Sequence, residues 1–286
     1  MNWFWLTIIY LILLTSATLI NKKSLNNLNI DEIVFGASIQ LATSVTSLFL
    51  ALVTEWNFVF NSASTPLFIG MGIIYSFAIS FYYTGLKKTE LSVAAILDST
   101  GSIYSLILGT LFLNEPLLLS KFIGIAFIVA AILIVSFKNK VSSFNKYSWI
   151  LLFSAFFYAL GAIFDKKLNT FGNPLSYLTL SFATAGISIL LINFKRTKKA
   201  FKETFKNKNF WIGISVNGVL YSLGFWALFE AYHRGGEVSR MFPITLSMSV
   251  IIPILGIIFL KERDNIAKKL VAIVIMVLGL WILGSA

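Results

Sequence analysis

Asp98 is the eighth residue of an apolar run, Leu91–Leu113, and Ser102, Ser105 and Gly109 follow it at i+4, i+7 and i+11. On a helix that spacing makes one small, polar face carrying a carboxylate. A charge inside a membrane span costs about 2.5–3.5 kcal/mol on insertion scales, so it is a functional candidate by default. Asp98 suits a substrate amine or cation, or the uptake of a proton; the plainer alternative is a structural carboxylate paired inside the bundle. Arg240 stands at the start of a second run, Val238–Leu260, three residues before Pro243. Its guanidinium fits a carboxylate or phosphate on a substrate, or it snorkels to the interface. Glu230 closes the run before, with His233, Arg234 and Arg240 near it in sequence. It reads first as a structural pairing and, with Asp98, as a candidate for proton coupling. Tyr75, Tyr82 and Tyr83 share one run, Tyr221 and Trp226 another, with Asn217 one turn before Tyr221; Tyr10 and Tyr158 lie in two more. A phenol in mid-span needs a hydrogen-bond partner, so these face protein or a cavity. Trp3, Trp5, Trp56, Trp149, Trp211 and Trp281 lie near run ends and read as interface anchors, whereas Trp226 is deeper.

Other chemistry is missing from the chain. It has no cysteine and one histidine, His233. Thiolate sites, disulfides and His-cluster metal sites are therefore excluded. No glycine-rich nucleotide loop and no nucleophilic triad occurs, so neither an enzyme nor ATP-driven transport is expected, and no cofactor. Apolar residues make up 57% of the 286 and charged residues 12%, against about 25% charge in a soluble domain. The chain is a polytopic membrane protein whose partners are the lipid bilayer and a small-molecule substrate, with a proton or counter-substrate for coupling. The net charge of +11 sits in short loops between apolar runs, which makes it a topology signal and not a nucleic-acid surface.

Ten runs are long enough to cross a bilayer, which takes about 20 apolar residues: Trp3–Ile20, Ile33–Val53, Pro66–Leu86, Leu91–Leu113, Leu119–Phe137, Ser148–Phe164, Pro174–Phe194, Phe210–Ala231, Val238–Leu260 and Lys269–Gly284. Pro243 and Pro253 both fall inside the ninth, where each frees a carbonyl one turn back and marks a helix break suited to gating. Lys87–Lys121 recurs 147 positions later as Arg234–Lys268. The identities include Glu90/Glu237, Ser92/Ser239, Ser102/Ser249, Gly109/Gly256, Phe112/Phe259, Leu113/Leu260, Glu115/Glu262 and Lys121/Lys268. That shift is about half the chain, so residues 1–140 and 148–286 read as two five-helix repeats joined by 141–147. Five is odd, so the second copy enters the membrane inverted. Glu115 and Glu262 are then expected on opposite faces. The odd-numbered loops hold 18 Lys and Arg, the even-numbered loops five. The positive-inside rule puts the odd loops in the cytoplasm and both termini outside. The basic loop Lys195–Lys208, with Phe201 and Phe205 at i, i+4, is a topology anchor or an interfacial helix on anionic lipid.

Ten spans in two inverted halves, each with a helix ending Phe-Leu-x-Glu before a final span, resemble the drug/metabolite transporter superfamily, EamA type. The matching residues are Phe112-Leu113-Asn114-Glu115-Pro116 and Phe259-Leu260-Lys261-Glu262-Arg263, with Pro243 where that family often has a proline. The resemblance implies an all-α, basket-shaped carrier with a cavity between its halves, lined by helices 1, 3, 4, 6, 8 and 9. By helix number and polarity that cavity takes Tyr75, Asp98, Tyr158, Asn217, Tyr221, Trp226 and Arg240. The expected function is secondary active transport of amino acids or related zwitterionic or cationic solutes by alternating access, in the plasma membrane. A nucleotide-sugar, phosphorylated-metabolite or cation carrier is the alternative within transport, and a non-transporting membrane scaffold the alternative outside it.

Overall fold

A computed structural model of the chain describes residues 2–28, 31–54, 56–59, 61–88, 97–98, 100–136, 146–248, 250 and 266–285. Pro253, Glu262 and linker residues 141–145 lie outside the described residues. The helices are α1 Trp3–Leu28, α2 Glu32–Val53, α3 Ser64–Lys88, α4 Gly101–Leu113, α5 Leu119–Ser136, α6 Lys146–Leu168, α7 Pro174–Ile192, α8 Phe194–Thr204, α9 Lys208–His233, α10 Val238–Leu246 and α11 Ile266–Ser285. No strand occurs among the described residues. An isolated bridge between Phe58 and Gly172 ties the α2–α3 loop to the turn after α6.

Local chemistry sets several of the helix ends. Asp31 caps α2 by accepting from the N–H groups of Ile33 and Val34 at 2.9 and 3.2 Å. Asn173 caps α7 by accepting from Ser176 N–H at 2.8 Å, with Pro174 at the first turn, where a missing N–H is harmless. α4 ends at Asn114, which adopts a left-handed conformation with φ 55; this lets Glu115 N–H return to the Gly109 carbonyl at 3.2 Å. The extra helix α8 falls in the basic stretch, and Arg196 pins it to the start of α2 through Asp31 (2.8 Å) and Glu32 (2.6 Å).

The bundle is inside-out relative to a soluble protein. Val53, Leu119 and Trp281 are 86%, 74% and 68% exposed, while Asn217, Ser222, Ser239 and Lys121 are fully buried. Only a lipid surround makes that arrangement favourable. α2, α3, α6, α7 and α9 each contain an apolar window of membrane-spanning length; α1, α4, α5 and α11 carry shorter ones.

Packing follows the repeat. Exchanging the halves maps α1 to α6, α2 to α7, α3 to α9, α4 to α10 and α5 to α11, and leaves α8 without a counterpart. α3 packs on α6, and their counterparts α9 and α1 pack on each other. α2 touches α9 as α7 touches α3. α2 on α7, α4 on α10 and α5 on α11 are pairs that the exchange maps onto themselves. Such self-paired contacts are those of a two-fold relation between the halves, and the chain is an all-helical, two-repeat polytopic fold.

Candidate functional site

The N-terminus of α10 has free backbone N–H groups, as every helix start does. Glu237, at the capping position, makes no side-chain cap. Glu115 from the other half supplies it: one carboxylate oxygen accepts from Val238 N–H (2.8 Å), the other from Ser239 N–H (2.9 Å) and from the Ser239 hydroxyl (2.5 Å). Lys166, at the end of α6, adds a charge-assisted bond at 3.1 Å. Gly109 makes room, because a Cβ there would stand 2.6 Å from Glu115 Oε2. Burial by itself would raise the Glu115 pKa, but the Ser239 hydroxyl, the Lys166 charge and the two backbone donors outweigh it and hold the carboxyl below its usual range. Glu115 therefore stays ionised at neutral pH.

Lys121 extends this cluster. Its ammonium is fully buried and meets the Ser239 hydroxyl at 2.9 Å and Glu237 at 2.6 Å. Arg240 Nε approaches the same Glu237 oxygen at 3.0 Å, and its guanidinium lies over the Trp3 ring. The Lys121–Glu237 and Arg240–Glu237 contacts are ion pairs by distance and make no hydrogen bond at the Glu237 oxygen or at Arg240 Nε. Glu115 and Lys121 come from the first half, and Lys166, Glu237, Ser239 and Arg240 from the second. The cluster is an ionic latch between halves.

A second constellation runs along α3 and α6. Asp165, buried on α6, accepts from the Tyr75 hydroxyl at one oxygen and from the Tyr177 hydroxyl at the other, both at 2.5 Å. Tyr75 then meets Tyr158 edge-on at 6.2 Å, and Tyr158 meets Tyr82 at 6.1 Å. The Asp98 carboxylate lies within electrostatic reach of both Tyr82 and Tyr158. The ladder thus joins two carboxylates through three phenols. Gly161 allows it: a Cβ there would fall 2.6 Å from the Tyr75 ring, one helical turn before Asp165. Across the interior, Tyr221 accepts from Asn21 Nδ2 at 3.1 Å and is electrostatically felt at Tyr10, Tyr82, Tyr83 and Tyr158.

Of the residues singled out in the sequence, Tyr75, Asp98, Tyr158 and Tyr221 converge on this tyrosine-lined interior. Asn217 is fully buried on α9, with its Nδ2 on the Gly213 carbonyl and its Oδ1 unpartnered. Trp226 is 39% exposed on the flank of α9. Arg240 belongs to the latch, with Pro243 one turn further along α10. Glu230 pairs with Arg234 at 2.8 Å. Sequence reasoning passed over Asp165, Tyr177 and Lys166, because Asp165-Lys166-Lys167 reads as the polar end of a run. For Lys121, Ser239 and Glu237 the repeat identities were the signal.

The family model of the EamA-like transporter family matches twice, over residues 1–137 and 145–285. The chain belongs to the EamA-like transporter family. An uncharacterized transporter of Archaeoglobus fulgidus is 26% identical to it over 265 residues, 88% of each chain. A solved structure described only as the crystal structure of a protein superposes with a TM-score of 0.78 over 98% of this chain and 95% of its own. At 13% identity that likeness speaks for the fold alone. This transporter is an integral, multi-pass membrane protein of the drug/metabolite superfamily and not an enzyme.

Proposed function

We propose that this transporter is a plasma-membrane carrier of small amine-bearing or zwitterionic metabolites, working by alternating access. The observation that carries the substrate class is the charge pattern of the interior. Asp98 and Asp165 stand among tyrosines, while the cations with described side chains sit at the ends of the spans or in the latch. Carboxylates walled by aromatic faces attract ammonium groups by charge and by the ring quadrupole. Asp98 is half-buried whereas Asp165 is closed off, so Asp98 is the carboxylate we assign to the solute; Tyr82 and Tyr158 lie within its electrostatic reach. Arg240, the cation best suited to a substrate phosphate, is engaged by Glu237 and Trp3, which favours amines over phosphorylated solutes.

The latch supports the alternating-access part. It joins the halves at one face, as Arg196 joins Asp31 and Glu32 at the other, and its ion pairs are largely withdrawn from solvent. Desolvation nearly offsets attraction in such pairs, so they specify a state without making it hard to leave. With the even-numbered loops outside, the latch closes the outer face. Screening the purified protein for thermal stabilisation by amine, amino-acid and phosphorylated metabolite pools identifies the solute, because a ligand of the folded state raises apparent stability. Uptake of that solute into proteoliposomes then tests the site. Asp98→Asn is expected to abolish concentrative uptake; unaltered uptake, or stabilisation by phosphorylated metabolites alone, refutes the assignment.

A further inference from the structure

Asp165 adds negative charge to the interior described above but is itself closed to a solute. It is 4% exposed, Tyr177 is fully buried against it, and both carboxylate oxygens already accept phenol hydrogens. An organic ammonium has no room there; a proton needs none. The groups that the described residues bring within reach of the carboxylate are phenols: Tyr75 from α3, Tyr177 from α7, Tyr232 from α9 and Tyr10 from α1. Its sequence neighbours on α6 point elsewhere. Lys166 bonds Glu115, and Lys167 lies over the Phe112 ring. The sole histidine, His233, faces the Asn169 carbonyl. Among the described residues the carboxylate thus has phenol donors and no counter-charge. A buried carboxylate so placed is held ionised only by its hydrogen bonds, and a proton is the partner that would relieve the remaining desolvation.

We propose that Asp165 is a proton-binding site whose loading loosens the outer latch. The proton binds one carboxylate oxygen as an O–H, and the phenol bonds, charge-assisted while the group is ionised, become weaker neutral ones; Tyr177 has the Met71 sulfur at 3.2 Å as an alternative acceptor for its hydrogen. The three-helix clamp between α3, α6 and α7 is thereby loosened. The next residue along α6 is Lys166, which holds Glu115. The clamp and the latch are therefore consecutive side chains on one rigid helix, and a shift of the α6 end that follows loosening of the clamp pulls Lys166 from Glu115. Deprotonation restores the charge-assisted bonds and re-seats Lys166. The proton site stands independently of the transported solute; its coupling to solute movement rests on the carrier reading above.

The test uses the full-length protein in lipid nanodiscs with no solute added. Infrared difference spectra are recorded from mildly alkaline to mildly acid pH, following the C=O stretch of a protonated carboxyl. The wild type is expected to gain such a band, and Asp165→Asn to lose it while Asp98→Asn keeps it. Tyr75→Phe and Tyr177→Phe retain the carboxylate and each remove one donor to its charged form, so the band appears about one pH unit higher in each. These two variants decide the question should Asp165→Asn fail to fold. A single cysteine replacing Leu117, exposed beside the latch, reports the second half of the proposal: its labelling rate, divided by the thiolate fraction at each pH, rises with the band, and that rise is absent in Asp165→Asn. A carboxyl difference spectrum unchanged by Asp165→Asn, midpoints unmoved by both Phe variants, or a labelling rate that ignores the band overturns the proposal. These readouts contain no solute, so failure of the carrier reading leaves their outcome unchanged.

Discussion

Glu115 and Asp165 are two buried carboxylates with opposite assignments, and their donors make the difference. Glu115 has a lysine, a hydroxyl and two backbone N–H groups of a helix start; Asp165 has two phenols. The first set includes charge and dipole and favours the ionised form outright. Because the Glu115 pKa is lowered in the fold, its stabilisation is complete above its ordinary value of 4.5 and is lost as pH falls through the lowered value. Glu115→Gln should therefore cost about 1–3 kcal/mol of unfolding free energy at neutral pH. The gap between wild type and variant should close only in strong acid, as followed by thermal unfolding in detergent across pH. A gap that closes near neutrality would make Glu115 a proton carrier and not a latch. Glu115 was legible as a repeated residue at a helix end, but its role was not. The repeat shows that two glutamates are equivalent; only the fold shows that one half caps a helix of the other. Asp165 was hidden for a different reason: α6 runs past the apolar stretch to Leu168, so a residue at the polar end of a run is still inside the bundle.

The helices divide into those the sequence announces and those it does not. Membrane-length apolar runs give α2, α3, α6, α7 and α9 directly, since no other folded state satisfies their backbone in lipid. α10 ends at Leu246, Ser247 is a turn, and Met248 and Val250 are again helical. Pro243 withholds the N–H that the Ser239 carbonyl would meet in a regular helix, so the first turn of α10 depends on Glu115 for its order. α8 was one of two readings of the basic loop and is a helix of its own. Phe194, Lys195, Lys198 and Lys199 place aromatic and cationic groups together, as an interfacial helix does on anionic lipid. With the basic loops in the cytoplasm, a cysteine placed in α8 of this cysteine-free chain should react with an impermeant maleimide from the cytoplasmic side only. Labelling from outside would invert the topology and move the latch to the inner face.

At the scale of the whole molecule, the fold class followed from one odd number. Five spans per repeat force inversion, and inversion predicts that contacts survive exchange of the halves, as α3–α6 with α9–α1 and α2–α9 with α7–α3 do. The solute could not be read in the same way, because symmetry says nothing about the residues that differ between halves: Asp98 aligns with Thr245 and Arg240 with Val93. In the alternating-access reading the halves exchange which end is open, and a ligand shifts that balance by its differential affinity for the two states. The most direct test is a spin-label distance between cysteines replacing Leu117 and Thr170, both exposed and on either side of the latch. Measured by double electron–electron resonance in nanodiscs, wild type is expected to show a dominant short distance and a minor long one, and Glu115→Gln to shift the population toward the long one. A single distance that Glu115→Gln leaves unchanged would contradict the latch and the alternating-access account built on it.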